Sequence, residues 1–217
     1  MIVIGDVAMN SNLKKLFGKY PELVECQTSI EEAYDASKKA YESGRKLLLA
    51  GNGGSAADCE HVVGELMKGF MSKRPLSQDM KEKLASVSDG DVYLGEHLQG
   101  ALPAISLVSH SALMTAFAND VAPDMVFAQQ VFGYGKAGDV FIGFSTSGNS
   151  KNINHAIKVA KALGLVTIGF TGKSGGEMKT LCDVTISVPF DSTPDIQERH
   201  LPIYHTLCIL LEEAFFE

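Results

Sequence analysis

Residues 139–150, Asp-Val-Phe-Ile-Gly-Phe-Ser-Thr-Ser-Gly-Asn-Ser, decide the fold class. Residues 139–144 form an apolar run typical of a buried strand, and residues 145–150 place hydroxyl groups where a helix would begin. The same order of strand, loop and helix recurs along the chain, with predicted strands at 46–50, 104–108, 166–170 and 184–188. Strands that alternate with helices predict an α/β fold, a three-layer αβα sandwich around a parallel sheet.

The remaining segments fit a single domain over residues 1–217. Apolar residues at helical spacing predict an N-terminal helical segment at about 9–43. Residues of about 72–100 are polar and charged, and we interpret them as an insertion that contains a short helix near 78–85. In parallel sheets, ligands bind beyond the carboxyl ends of the strands, which directs attention to the loops after residues 49, 144 and 170.

Composition excludes several classes of protein. The 217 residues are 45% hydrophobic and 21% charged, which argues against disorder. A net charge of −7 does not attract nucleic acid, so an anionic ligand needs local donors. The four cysteines lack CxxC spacing, which indicates reduced thiols. No apolar run approaches the roughly 18 residues that span a membrane, so we expect a cytoplasmic protein without membrane or nucleic-acid partners.

Two loops could bind a phosphate. The first contains Ser145, Thr146, Ser147, Gly148 and Ser150 at a predicted helix N-terminus, where free N–H groups and the helix dipole favour anions. The alternative is a polar turn in which Ser150 caps the helix. The second, Gly-Asn-Gly-Gly-Ser at 51–55, matches neither the Walker A nor the GxGxxG pattern. Together the two loops favour a sugar-phosphate pocket.

A second group of residues could bind a metal. His61 and Glu65 are four residues apart on a predicted helix and share one face, although such pairs are more often surface contacts. Gln197 and His205 would lie roughly 12 Å apart on a continuous helix. Because proline disrupts a helix interior, Pro202 leads us to predict a helix that begins near Leu201, with Gln197 on a separate turn.

These stretches together resemble the phosphoheptose isomerase branch of the sugar-isomerase (SIS) domain family. The matching segments are GNGGSAADCEHVVGE (51–65), AND (118–120), FSTSGNS (144–150), GFTGKSGG (169–176) and IQERHLPIYH (196–205). The resemblance implies isomerisation of sedoheptulose 7-phosphate to D-glycero-D-manno-heptose 7-phosphate. It also implies one zinc ion per site and a homotetramer, joined through the N-terminal helices, whose active sites lie between subunits.

The resemblance also implies roles for individual residues. Glu65 would be the catalytic base and His205 the catalytic acid in a proton transfer through an enediol. The implied metal ligands are His61, Glu65, Gln197 and His205. The implied substrate-binding residues are Asn52, Gly53, Gly54, Ser55, Glu65, Asn119, Asp120, Ser145, Thr146, Ser147, Ser150 and Gln197.

Two departures from the family pattern leave alternatives open. Asp195 stands where the family commonly has arginine, and the excursion at 72–100 is longer than expected. The chain could therefore isomerise another ketose phosphate. It could also be a non-catalytic regulator, because some SIS proteins bind sugar phosphates without an acid and base pair.

Overall fold

A computed structural model describes residues 10–217; residues 1–9 lie outside the described part. Within it, five parallel strands form one sheet in the order β2-β1-β3-β4-β5. The strands are β1 (Leu47–Ala50), β2 (Ala104–Ser106), β3 (Val140–Phe144), β4 (Val166–Thr171) and β5 (Val184–Ser187). The predicted αβα architecture is confirmed.

Ten α-helices surround the sheet in the described residues. They are α1 (Ser11–Lys19), α2 (Gln27–Glu42), α3 (Gly54–Met67), α4 (Gln78–Val87), α5 (Tyr93–His97), α6 (Ser111–Asp120), α7 (Val126–Tyr134), α8 (Lys151–Ala162), α9 (Met178–Leu181) and α10 (Thr193–Phe216). Short 3₁₀ helices at Pro21–Cys26 and Pro123–Met125 precede α2 and α7.

Alternate residues of the buried strands face opposite sides of the sheet. Leu47 and Leu49 of β1 pack in a core with α1, α2, α3 and α10, while Leu48 packs in a second core with α7 and α8. A strand covered on both faces needs apolar residues throughout, which explains the continuous run at 47–50. The chain leaves β1 toward β2 on one side and returns to β3 on the other, so the loops after β1 and β3 meet at the switch point of the sheet.

The predicted interruption of the last helix is wrong. The helix α10 runs continuously through Pro202, and both Gln197 and His205 belong to it. Its sides pack on α1, α2 and α3, and buried residues line it from Ile196 to Leu211, so tertiary packing offsets the one hydrogen bond that proline removes. Glu198, whose carbonyl group loses that helical donor, is exposed to solvent.

The excursion is closed at its neck. Pro75 and Gln99 form an antiparallel bridge, and the side chain of Gln99 accepts the N–H of Gly69. Beyond this neck, α4 and α5 pack on each other, and α4 confirms the short helix predicted near residues 78–85.

A buried ion pair anchors the neck. The carboxylate of Glu212 on α10 accepts the Nε–H of Arg74 at 2.7 Å and the backbone N–H groups of residues 70, 71 and 72. Arg74 is fully buried and also donates to the carbonyl groups of Glu65 and Leu66 at the end of α3. One ion pair therefore joins α3, the excursion and α10.

None of the helices in residues 10–217 is both long and apolar enough to cross a membrane. The four cysteines all lie in this part of the chain and are free thiols, as predicted.

Glu212→Gln tests the anchor. Removing one charge leaves Arg74 buried and unpaired, so we expect the free energy of unfolding to fall by about 3–5 kcal/mol. Urea denaturation measures the change. Glu42→Gln is the control, because Glu42 pairs with Lys38 on an exposed helix face and should cost less than about 0.5 kcal/mol. Equal losses in the two variants would contradict the anchoring role.

His200 gives the fold a pH dependence. It is fully buried between α10 and β4, and its Nε2 lies 3.3 Å from the carbonyl oxygen of Thr171. Burial lowers the pKa of His200 from its ordinary value of 6.5 to about 4. The unfolded chain therefore binds a proton between these values while the folded protein does not.

Stability should consequently fall as the pH drops from 6.5 to 4. The contribution of His200 approaches the one-proton limit of about 1.4 kcal/mol per pH unit. We expect His200→Gln to flatten this dependence when urea midpoints are compared at several pH values. An unchanged slope in the variant would show that other groups cause the acid sensitivity.

Candidate functional site

The two loops predicted to bind phosphate meet at the switch point of the sheet. Asn52, in the loop after β1, exchanges two amide hydrogen bonds with Asn152 in the first turn of α8, at 3.0 and 2.8 Å. Asn52 is exposed and Asn152 is half-buried. This pair bridges the crevice in which ligands bind in parallel sheets.

The serine loop leaves hydrogen-bond donors available. The hydroxyl groups of Ser145 and Ser150 contact each other at 2.9 Å, and Ser150 makes no capping bond to α8. Ser150 is nevertheless the N-cap residue of α8, and its carbonyl group accepts the N–H of Asn154. Within residues 10–217, the backbone N–H groups of Thr146, Ser147 and Lys151 have no hydrogen-bond partner. Such groups at a helix N-terminus can hold a phosphate.

The loop after β4 supports the serine loop. Gly172 N–H donates to the carbonyl of Thr146, and Met178 N–H donates to the carbonyl of Gly148. Gly148 has φ +67°, and a Cβ atom there would lie 2.0 Å from the carbonyl oxygen of Gly175. Only glycine fits between the two loops at this position.

The glycine loop meets the start of α10. Gly53 has φ +57° and precedes α3, while Ser55 is buried with 3% of its surface exposed. The amide nitrogen of Gln197 lies 2.7 Å from the place where a Cβ atom on Gly54 would stand. Gln197 therefore contacts the glycine loop.

Three of the predicted metal ligands come together on α3 and α10. His61 Nε2 lies 3.1 Å from Glu65 Oε1 and 3.4 Å from His205 Nε2. One ligand atom from each residue lies within 4.8 Å of the others. Gln197 lies two turns before His205 on the same helix, and its amide nitrogen approaches Gly54. We call His61, Glu65 and His205 the α3/α10 cluster.

Within the α3/α10 cluster, Glu65 is buried, His205 is half-buried and His61 is exposed. The Oε2 atom of Glu65 is buried and has no hydrogen-bond partner among the described residues. Burial, with the nearby His61, lowers the pKa of His205, although Glu65 acts in the opposite direction. The neutral imidazole, which binds metals, is therefore the favoured form of His205.

Tyr204 lies behind His61. Its hydroxyl group is 3.1 Å from His61 Nδ1 and 3.2 Å from Asp58 Oδ1. Burial raises the pKa of Asp58, while the hydrogen bond from Tyr204 and the proximity of His61 lower it.

Asn119 and Asp120 are not part of this site in the single chain. They lie at the exposed end of α6, where Asn119 Nδ2 donates to Asp120 Oδ1 at 2.9 Å. No hydrogen bond within residues 10–217 connects either side chain to the loops or to the α3/α10 cluster.

Sequence reasoning missed three supporting residues. Asn152 was not identified as a site residue because asparagine is common at the start of a helix. Tyr204 and Arg74 act through contacts with residues distant in sequence. Tyr204 directly precedes His205, and Asp58 lies one turn before His61. This proximity to predicted metal ligands is the one sign of their supporting role that the sequence offers.

The sequence comparisons identify the class and then the family. Residues 97–172 match the SIS domain, so the chain is an SIS-domain protein. It is 40% identical to the phosphoheptose isomerase of Aneurinibacillus thermoaerophilus, over 86% of this chain and 82% of the relative. It is 37% identical to that of Sulfurimonas denitrificans, over 96% and 95% of the two chains. The chain belongs to the phosphoheptose isomerase family.

A solved structure agrees with this assignment. The phosphoheptose isomerase from Francisella tularensis superposes with a TM-score of 0.69 at 28% identity, over 94% of this chain and 100% of that one. The predictions of an SIS fold and of an isomerase family are confirmed.

Gly148→Ala tests the support of the serine loop. The added methyl group would collide with the loop after β4 and would strain a residue at positive φ, so we expect phosphate-ester binding to weaken at least tenfold. Gly18→Ala is the control, because Gly18 lies in α1 with open space around it. Calorimetric titration with a sugar phosphate measures both, and equal affinities would contradict the role of Gly148.

Proposed function

We propose that this chain isomerises sedoheptulose 7-phosphate to D-glycero-D-manno-heptose 7-phosphate. The observation that carries the proposal is the α3/α10 cluster beside two loops suited to phosphate. A regulator that only binds sugar phosphates needs the serine loop but has no use for a buried carboxylate beside two histidines that contact each other. Membership of the phosphoheptose isomerase family supports the same reaction.

The phosphate would bind at the switch point. Hydroxyl groups of Ser147 and Thr146 and the free N–H groups at the start of α8 are uncharged donors. They suit a protein with a net charge of −7, because they act only at short range. Asn52, Gly53 and Gln197 would line the adjoining side of the crevice.

The residues of the cluster fit one zinc ion per site. Two imidazole nitrogens and a carboxylate oxygen are a common zinc ligand set, and the buried Oε2 of Glu65 lacks a partner. His61, Glu65 and His205 would hold the ion, which would polarise the substrate carbonyl and stabilise the enediolate. Gln197 remains a predicted fourth ligand, although it contacts Gly54 in this structure.

Glu65 would move the proton. Its Oε1 faces His61, and the carboxylate would take a proton from one carbon of the sugar and return it to the next. His205 would exchange the proton of the substrate oxygen. Because its Nε2 faces His61, binding a metal through Nε2 and donating a proton from it would exclude each other.

Asp195 does not require a different substrate. Its backbone N–H donates to the hydroxyl group of Ser192, which in turn donates to the carboxylate of Asp195. This reciprocal arrangement caps α10, and a negative charge in the first turn is favourable to the helix dipole. The capping role accounts for Asp195 without assigning it a contact with the substrate.

We further propose a homotetramer with active sites between subunits, in the cytoplasm. No residue of α6 is buried in the single chain, and Asn119 and Asp120 are exposed at its end. If a second chain covers α6, Asn119 and Asp120 would contribute to an active site that the two chains share. The free thiols suit a reducing compartment.

The substrate and the two catalytic roles can be tested together. We expect turnover of sedoheptulose 7-phosphate to exceed that of C5 and C6 ketose phosphates. Glu65→Gln and His205→Asn should each lower kcat by at least a thousandfold, because each removes a proton-transfer group, while sugar-phosphate binding remains. Product formation and calorimetric titration provide the two measurements.

Matched controls separate catalysis from folding. Glu60→Gln changes an exposed carboxylate on the same helix as Glu65, and His97→Asn changes an exposed histidine on α5. Both should remain active. Near-normal kcat in Glu65→Gln or His205→Asn would refute the assigned role. A wild-type protein with neither zinc nor turnover would instead indicate a regulator.

A further inference from the structure

Tyr204 and Asp58 form a chain of polar groups behind His61. The phenol ring is buried, with 2% of the residue exposed, and its hydroxyl group lies between His61 Nδ1 and Asp58 Oδ1. The other carboxylate oxygen of Asp58 is buried and has no partner among residues 10–217. The proposed function assigns no role to either residue.

A tyrosine hydroxyl has one hydrogen to donate, and two groups compete for it. The carboxylate of Asp58 can only accept when ionised, and a hydrogen bond to a charged group is the stronger one. The hydroxyl hydrogen of Tyr204 is therefore donated to the carboxylate of Asp58. The hydroxyl oxygen is then placed to accept a hydrogen bond from an Nδ1–H of His61.

We propose that Asp58 and Tyr204 position His61 by fixing its Nδ1–H tautomer, so that the lone pair of Nε2 faces the metal site. In this state His61 Nε2 and Glu65 Oε1 are both acceptors at 3.1 Å, and a cation resolves their repulsion. In the opposite tautomer, Nε2–H would donate to Glu65 and close the site. The inference rests on the proposed function for the identity of the metal, but the tautomer is independent of it.

The packing of the rings agrees with this role. The imidazole ring of His61 packs edge-on against the phenol ring of Tyr204, with 5.5 Å between the ring centroids. It also packs edge-on against the imidazole ring of His205, with 4.9 Å between the centroids. The ring is thus restrained by its neighbours while the hydroxyl group selects the proton position. Groups that orient a metal-binding histidine through its second nitrogen typically alter metal affinity 10–100-fold when they are removed.

Tyr204→Phe tests the inference because it removes the hydroxyl group and keeps the ring. We expect zinc affinity, measured by competition with a chromophoric chelator, to fall 10–100-fold. Nitrogen-15 NMR of the metal-free protein near pH 8 should show His61 as the Nδ1–H tautomer in the wild type and as a mixture in the variant. His61→Gln assigns the signal.

Two further variants complete the experiment. Tyr41→Phe is the matched control, because the Tyr41 hydroxyl is buried without a partner among the described residues and the Tyr41 ring packs edge-on against Phe215. It should leave zinc affinity and the His61 signal unchanged. In Asp58→Ala the Tyr204 hydroxyl is free to donate to His61, so the Nε2–H tautomer should increase and zinc affinity should fall.

The outcomes are distinguishable. An Nε2–H tautomer in the wild type, or an unchanged His61 signal and zinc affinity in Tyr204→Phe, would overturn the inference. A wild-type protein that shows the Nδ1–H tautomer but binds no zinc would support the positioning role and refute the proposed metal. A merely structural role for Tyr204 would change stability without changing the tautomer.

Discussion

The buried ion pair between Arg74 and Glu212 holds together the parts of the molecule on which the site depends. Two charges removed from water need several hydrogen bonds to be tolerated. Here the carboxylate accepts three backbone N–H groups besides the guanidinium, and the guanidinium donates to the carbonyl of Glu65. The end of α3 is thereby fixed to α10, which keeps His61 and His205 facing each other.

The fold could be predicted from the sequence because its signals are local. Each strand is a short apolar run followed by small residues, and the alternation of strands with helices permits few topologies. The prediction of an interrupted last helix was wrong because it also relied on a local signal. Pro202 is a local signal for a break, but the packing of α10 on α1, α2 and α3 outweighs the single lost hydrogen bond.

The candidate site was predictable in part. His61 and Glu65 share a helix face by spacing alone, and His205 joins them only because α3 and α10 lie side by side. The contacts of Asn52 with Asn152 and of His61 with Tyr204 join residues 100 and 143 positions apart, so no pattern in the sequence reveals them. Gln197 and His205 belong to one continuous helix, whereas Pro202 predicted a break between them.

The closed neck of the excursion has a consequence for how such a protein can change over generations. Segment 76–98 joins the rest of the fold only through the neck formed by residues 75 and 99, and the buried ion pair holds this neck in place. Doubling the length of a closed loop costs only about 0.6 kcal/mol. Insertions, deletions or substitutions in 76–98 can therefore accumulate while the site residues on α3 keep their positions. The excursion is thus the region in which a related protein can gain a new property with the least effect on the site.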